Sequence, residues 1–274
     1  MERRDFLAVL AAGTVGALTS SALVGCATPV PAAEIDPADG PSTPPRTTST
    51  TPVPSSGLLP PAVGTRRPLP DGAITALPGP GRCLALTVDD GASSEVIGAY
   101  VKFARDTGAR FTFFVTVSFD GWTDHRSTLR PLVESGQIQL GNHTWSHPAL
   151  TELSSRGVAD ELRRTKRFLR NQFGVDGTPY YRPPFGYHNA GVDAVAADLG
   201  YTVPTLWYGS LSDSGLITER YLIRCARKYF RPQSIVIGHA NHDPVTKVYP
   251  ELVEIIRNRK LRMVTLDDYF AAGR

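Results

Sequence analysis

Leu84-Ala85-Leu86-Thr87-Val88-Asp89-Asp90-Gly91 is the stretch that decides the fold. Its first five residues are apolar or β-branched, as a strand buried on both faces requires. Its last three are two carboxylates and a glycine that permits an abrupt turn. Three more short apolar runs end in a similar way. Ile138-Gln139-Leu140-Gly141-Asn142 leads into His143, with His147 four residues on. Tyr180-Tyr181 leads into Arg182-Pro183-Pro184-Phe185-Gly186, and Ser234-Ile235-Val236-Ile237-Gly238 leads into His239. Ionisable residues at the C-terminal ends of strands are how a parallel α/β barrel or sheet builds a site.

Between these runs the periodicity predicts alternating helices. Strand 84–88 precedes helix 94–107, strand 111–117, a helical stretch near 127–135 and strand 137–142. Residues 152–172 read as a long amphipathic helix with Val158, Leu162, Phe168 and Leu169 on its apolar side. A helix near 190–199, a strand at 201–207, helix 218–230, strand 234–238, helix 249–259 and strand 261–265 follow. Alternating β and α implies one parallel α/β sheet or barrel over 82–274. No internal repeat is visible.

Upstream the composition changes. Residues 1–25 open with Arg3-Arg4 and continue through a moderately apolar stretch to Gly25, the order of a secretory signal of twin-arginine type. The stretch is short and polar for a bilayer span. Residues 26–81 hold fourteen of the 23 prolines among Ser, Thr, Gly and Ala, and cannot bury a core. Fully extended, such a linker reaches about 170 Å; as a coil, about 40 Å. Asp71–Leu77 either docks as an edge strand or belongs to the linker. The net charge of +3, with no Lys/Arg block, gives no reason to expect nucleic acid binding. Cys83 and Cys225, in an exported chain, either pair or stay as buried thiols.

The strand endings carry candidate chemistry. Asp89 and Asp90 are neighbours in a strand, so their side chains diverge and can take different tasks. His143 and His147, spaced i, i+4, fit one side of a helical turn, where two imidazoles can share an ion. Two His and one carboxylate form a common transition-metal set with positions left open. Arg182 suits an ion pair that orients Asp89. The Pro183–Gly186 turn can aim a backbone N–H at an oxyanion, and His239 suits a general acid. Each has a plainer reading: a solvated turn, a core histidine, a surface arginine. His125, His188 and His242 read as surface or loop residues, and Trp145 and Trp207 as core. Trp122 suits either sugar stacking or shielding of a loop.

Taken together, Thr87–Gly91, His143–His147, Arg182–Gly186 and Ile237–His239 resemble four of the five motifs of the polysaccharide deacetylases. These are the NodB-homology enzymes of carbohydrate esterase family four. The resemblance runs over roughly 82–268 with the motifs in family order. It implies a distorted (β/α) barrel and metal-dependent removal of an acetyl group from a polysaccharide. By that resemblance Asp90, His143 and His147 hold one divalent ion, Zn²⁺ first, with Co²⁺ or Ni²⁺ as alternatives. Asp89 becomes the base, oriented by Arg182. The Phe185 N–H meets the oxyanion, His239 protonates the leaving group, and Ile237 and Pro184 line the acetyl pocket. Leu23-Val24-Gly25-Cys26 resembles a lipobox, which implies cleavage before Cys26, lipid on its sulfur and an anchor outside the cytoplasmic membrane. The expected substrate is a cell-wall glycan, with an O-acetyl esterase or a glycan-binding lipoprotein as alternatives, and the expected state is a monomer.

Two departures stand out. Val88 replaces the family's usual Phe. In the fourth motif Ser210 and Ser214 stand where Asp and Trp are expected, which leaves Asp213 as the candidate partner for His239.

Overall fold

The computed structural model describes residues 57–61, 64 and 66–271. The expected signal segment, Cys26 and most of the linker lie outside the described residues. Among the described residues no helix is long and apolar enough to cross a membrane.

Strand β1, Cys83–Asp90, is buried along almost its whole length and forms the centre of the sheet. It pairs in parallel with β2 (Phe111–Val115) through its C-terminal half, from Thr87↔Thr112 to Asp90↔Val115. Its N-terminal end pairs with β8 (Arg262–Met263). Its other edge pairs with β7 (Ser234–His239), which sets Asp89 level with His239. Beyond β2 lie β3 (Ile138–Asn142), β4 (Tyr180–Tyr181) and β5 (Val203–Pro204); beyond β7 lies β6 (Gly209–Ser210). All these named pairings are parallel. The result is a strongly curved sheet ringed by helices, the distorted (β/α) barrel expected from the motifs.

The helices follow their local signals. Helix α1, Ser94–Thr107, starts where Ser93 accepts a bond from the Val96 N–H and stops at Gly108 in the left-handed region. It buries Ile97, Tyr100 and Phe103 against the sheet. Helices α2 (Gly121–Asp124) and α3 (Arg126–Glu134) lead to β3. Helix α4, Ser155–Phe173, buries Val158, Leu162 and Leu169 as its periodicity predicts, while Phe168 is only half-buried. Helices α5 (Ala190–Asp198), α6 (Glu219–Tyr229), α7 (Tyr249–Asn258) and α8 (Leu266–Tyr269) complete the shell.

Two expectations need correction and one open alternative closes. The strand expected at 201–207 is a two-residue strand, β5, with the chain leaving the ladder after Pro204 and re-entering at β6. Proline has no N–H to continue a ladder. Cys83 and Cys225 are both free thiols, one half-buried and one buried, so the pairing alternative is not the one adopted. Trp122 is neither a sugar platform nor a loop shield; it is fully buried in α2. Residues 74–77, upstream of β1, pack onto the sheet. Ile74 bridges Thr205, Ala76 bridges Ser234, and the Ile74 and Leu77 side chains are buried. This short segment bonds to β5 on one side and to β7 on the other: Leu206 N–H donates to Ile74 O (2.8 Å) and Leu77 N–H to Gln233 O (2.9 Å).

Candidate active site

The turn after β1 is built on a glycine. Gly91 has φ 99, and a Cβ there would lie 2.4 Å from the Trp122 ring. The indole therefore packs against the turn. Its Nε1–H donates to Asp90 O (3.1 Å) and Thr116 O (3.0 Å), which locks the backbone that presents both carboxylates.

Asp89 faces Arg182. Arg182 is fully buried, Asp89 is 2% exposed, and Nη1 donates to Asp89 Oδ1 at 2.5 Å. Nε donates to Thr205 O (2.8 Å) and Nη2 to Leu206 O (3.2 Å), so the guanidinium is held from two sides. Its plane also lies over Phe114 (4.3 Å to the centroid) and Trp207 (5.6 Å). Burial pulls the Arg182 pKa down, opposed by Asp89.

Asp90 faces the two histidines. His143 Nε2 lies 3.3 Å from Asp90 Oδ1 and 3.5 Å from Asp89 Oδ2; His147 Nε2 lies 3.3 Å from Asp90 Oδ1. The pair does not sit on a helical turn as the spacing suggested. Residues 143–147 form a bend in which Thr144 (φ 73) and His147 (φ 60) take left-handed backbone angles. The bend is held by groups the sequence reading missed. Asn142 Oδ1 accepts from the Thr144 N–H (2.9 Å), and Glu161 on α4 accepts from the Trp145 and Ser146 N–H groups (both 2.8 Å). Asn241 was also missed: its Nδ2–H donates to Asp90 Oδ2 at 2.7 Å and its Oδ1 accepts from the Ala92 N–H at 3.2 Å. Its position two residues past His239 is the only sequence signal that pointed to it; Glu161 had none.

This set fits a divalent cation. His143 Nδ1 is 2.7 Å from the Arg182 carbonyl, which can only accept, so Nδ1 carries the proton and Nε2 the lone pair of the neutral ring. Asp90 Oδ1 is buried with no hydrogen-bond partner. Three acceptor atoms thus converge, and the ligand atoms of Asp90, His143 and His147 lie within 4.8 Å of one another. The charge balance agrees. Burial would lower the His143 pKa, but Asp89 and Asp90 outweigh it and raise it. Burial would raise the Asp90 carboxyl, but the neighbouring His143 and the Asn241 hydrogen bond hold it well below the carboxylate range. His147 is lowered by burial and by His143. The carboxylates draw positive charge into this space, which a metal ion can supply as well as a proton.

Across a cavity of about 420 Å³ stands His239. Its Nδ1 is 3.0 Å from Oδ1 of the buried Asp213, the partnership expected from the surviving fourth-motif residue. Burial lowers the His239 pKa, but the Asp213 hydrogen bond and the Asp89 charge outweigh it and raise the pKa above its ordinary value. Ile237, Phe185, Ser210 and Ser214 line the cavity. Pro184 does not: it is buried, and Pro183 takes the lining position. Trp207, expected in the core, is half-buried and forms part of the wall. Trp145 is half-buried with Arg164 over its ring at 4.0 Å. Phe185 takes φ 60 inside the turn, exposes 57% of its surface and lines the cavity, with its ring edge to face with that of His147 at 4.7 Å.

The curved parallel sheet thus brings together a carboxylate–dihistidine cluster, a buried Asp–Arg pair and an opposed His–Asp pair. Residues 76–204 match the family described as polysaccharide deacetylase. Among curated proteins it is similar to the peptidoglycan-N-acetylglucosamine deacetylase PgdA of Listeria monocytogenes. Identity there is 26% over 192 residues, covering 68% of this chain and 38% of that protein. Chitin deacetylase 1 of Cryptococcus neoformans var. grubii is 34% identical over 127 residues, 44% of this chain and 25% of that protein. The chain therefore spans well under half the length of these relatives. A solved structure described as T48 deacetylase with substrate superposes with a TM-score of 0.61 at 28% identity, over 70% of this chain and 92% of that one.

Proposed function

We propose that this protein is a metal-dependent deacetylase that removes N-acetyl groups from a cell-envelope polysaccharide, with peptidoglycan amino sugars as the first substrate class. The observation that carries this reading is the position of the unpartnered Asp90 Oδ1 against two histidine nitrogens, between the Asp89–Arg182 pair and the His239–Asp213 pair. Asp90, His143 and His147 would hold one divalent ion, Zn²⁺ first. Bound there, the ion would polarise the acetyl carbonyl and make water a stronger acid.

The protein's own groups do the rest. Asp89, held by Arg182, accepts a proton from the attacking water as its oxygen bonds to the carbonyl carbon. The Phe185 N–H donates to the oxygen that gains charge. His239, protonated and held at Nδ1 by Asp213, gives its Nε2 proton to the departing nitrogen. The C–N bond breaks, leaving acetate and a free amine. Ser210 and Ser214 give the cavity a smaller wall than an Asp and a Trp would, and an uncharged one.

The N-terminal sequence supports the location. Residues 1–25 act as a twin-arginine signal, Cys26 carries lipid, and the Pro-rich segment upstream of the packed residues supplies reach from the outer face of the cytoplasmic membrane to the wall. The names of the relatives, peptidoglycan and chitin deacetylases, support a β-linked N-acetylglucosamine polymer. The test is acetate release from isolated wall with parallel detection of new amines, with and without chelator. Acetate with amine, abolished by chelator and restored by Zn²⁺, is the expected result. Acetate without amine indicates an O-acetyl esterase, and glycan binding without acetate release indicates a binding protein; either outcome refutes the deacetylase reading.

A further inference from the structure

Behind His239 three buried oxygens have no hydrogen-bond partner: Asp213 Oδ2, Tyr100 Oη and Tyr249 Oη. They come from the loop between β6 and α6, from α1 and from the start of α7. Tyr100 is fully buried and Asp213 is 2% exposed. Gly238, the residue before His239, sits between them. A Cβ on Gly238 would lie 3.4 Å from Tyr100 Oη and 3.5 Å from Asp213 Oδ2, so both oxygens face one small space under β7. The Tyr100 and Tyr249 rings meet edge to face with centroids 5.4 Å apart.

Buried polar atoms left unpaired forfeit their full hydration. A carboxylate only accepts, whereas a phenol can donate. Both phenols stay protonated: burial raises their pKa well above the ordinary value, and the neighbouring Asp213 raises it further. The pairing open to this cluster is a phenol O–H on the second oxygen of Asp213, and Tyr100 is the phenol placed beside it.

We propose that Tyr100 is a positioning residue for the His239 acid: its hydroxyl donates to Asp213 Oδ2, directly or through one water, and extends the pair into a His239–Asp213–Tyr100 relay. The donation fixes the carboxylate that fixes the imidazole. It also draws negative charge from Oδ1 toward Oδ2, so Asp213 grips the imidazolium less strongly and His239 releases its proton more readily. The other charged groups facing His239 are Asp89 and Asp90; those facing Asp213 are His239 and the two tyrosines. All remain in place when the Tyr100 hydroxyl is removed.

The kinetic part of this inference rests on the role proposed for His239; the titration part does not. Tyr100→Phe in the full chain keeps the ring that packs on Phe111 and Phe113. NMR titration of the His239 ring, identified by its loss in His239→Ala, should show a pKa raised by about half a unit. In an Asp213→Asn background the same change should leave the His239 pKa where it is. The alkaline limb of amide deacetylation should rise by the same interval in Tyr100→Phe, with turnover of an activated ester unchanged. An unmoved His239 titration, or an equal shift without Asp213, overturns the relay. A merely structural Tyr100 would instead slow amide and ester alike. If the wild-type protein releases no acetate from any glycan, the deacetylase reading fails while the titration still decides the relay.

Discussion

Replacing Arg182 by Met probes the most buried charge in the site. The guanidinium is fully buried and Asp89 is 2% exposed. Arg182 donates to Asp89 Oδ1 (2.5 Å), Thr205 O (2.8 Å) and Leu206 O (3.2 Å). The variant leaves Asp89 buried without its partner and two carbonyls without theirs. Breaking such a pair from one side costs about 3–5 kcal/mol. A proton taken up by His143, whose Nε2 lies 3.5 Å from Asp89 Oδ2, offsets part of this, which puts the expected loss near the lower end. Asp89→Leu should cost about as much, because it strands the guanidinium. The double variant Arg182→Met/Asp89→Leu holds no stranded charge and should be more stable than the sum of the two penalties by about 2 kcal/mol or more. Urea denaturation at neutral pH with chelator present, which removes metal linkage, measures all four corners of the cycle. Penalties that add within about 0.5 kcal/mol, or a single Arg182→Met loss under about 1 kcal/mol, would refute the coupling argued here.

Asn241→Ala should weaken metal binding about 10–100-fold by calorimetric titration, since it frees Asp90 Oδ2 to rotate. Unchanged affinity would mean that the Trp122-locked backbone alone orients Asp90. Asp89→Asn should retain metal and lose about 10²–10⁴-fold in turnover; full activity would show the two carboxylates in exchanged roles. In Asp213→Asn the hydrogen bond that raises His239 is weakened, so the imidazole deprotonates at lower pH. The reaction needs it protonated, so the alkaline limb of the rate profile should move downward and the acid limb should stay; an upward shift would contradict the assignment. Cys26→Ala should release the protein from membrane fractions without changing the rate on a soluble substrate, and continued retention would point to an uncleaved anchor.

Much of the site was legible because its chemistry sits at strand ends. Asp89, Asp90, His143, Arg182 and His239 each follow an apolar run, and parallel pairing brings those ends together. What was not legible depends on backbone angles and distant partners. The His143–His147 spacing has the helical interval, yet Thr144 and His147 adopt left-handed angles, which the β-branched Thr144 disfavours. Only Asn142, Glu161 and the fold around them enforce that bend. Asn241 reaches Asp90 across 151 positions, and no local pattern encodes such a contact. Trp122 looked available to solvent because α2 is four residues long, too short for periodicity to reveal which way its indole turns. Residues 74–77 carry linker-like neighbours, and only Ile74 and Leu77 betray that they pack.

That short upstream segment bears on how the domain should be prepared. Cutting the chain just before β1 would remove Ile74 and Leu77 from the core and strip backbone partners from Pro204, Leu206 and Gln233. Two stretches of sheet margin, one at each side of the opening, would then present unpaired N–H and C=O groups next to exposed apolar surface. Such margins template association with a second chain. A fragment starting at residue 82 should therefore self-associate or come out insoluble, even though every candidate catalytic group is still encoded in it, whereas one that starts before Arg66 retains the segment that caps both margins.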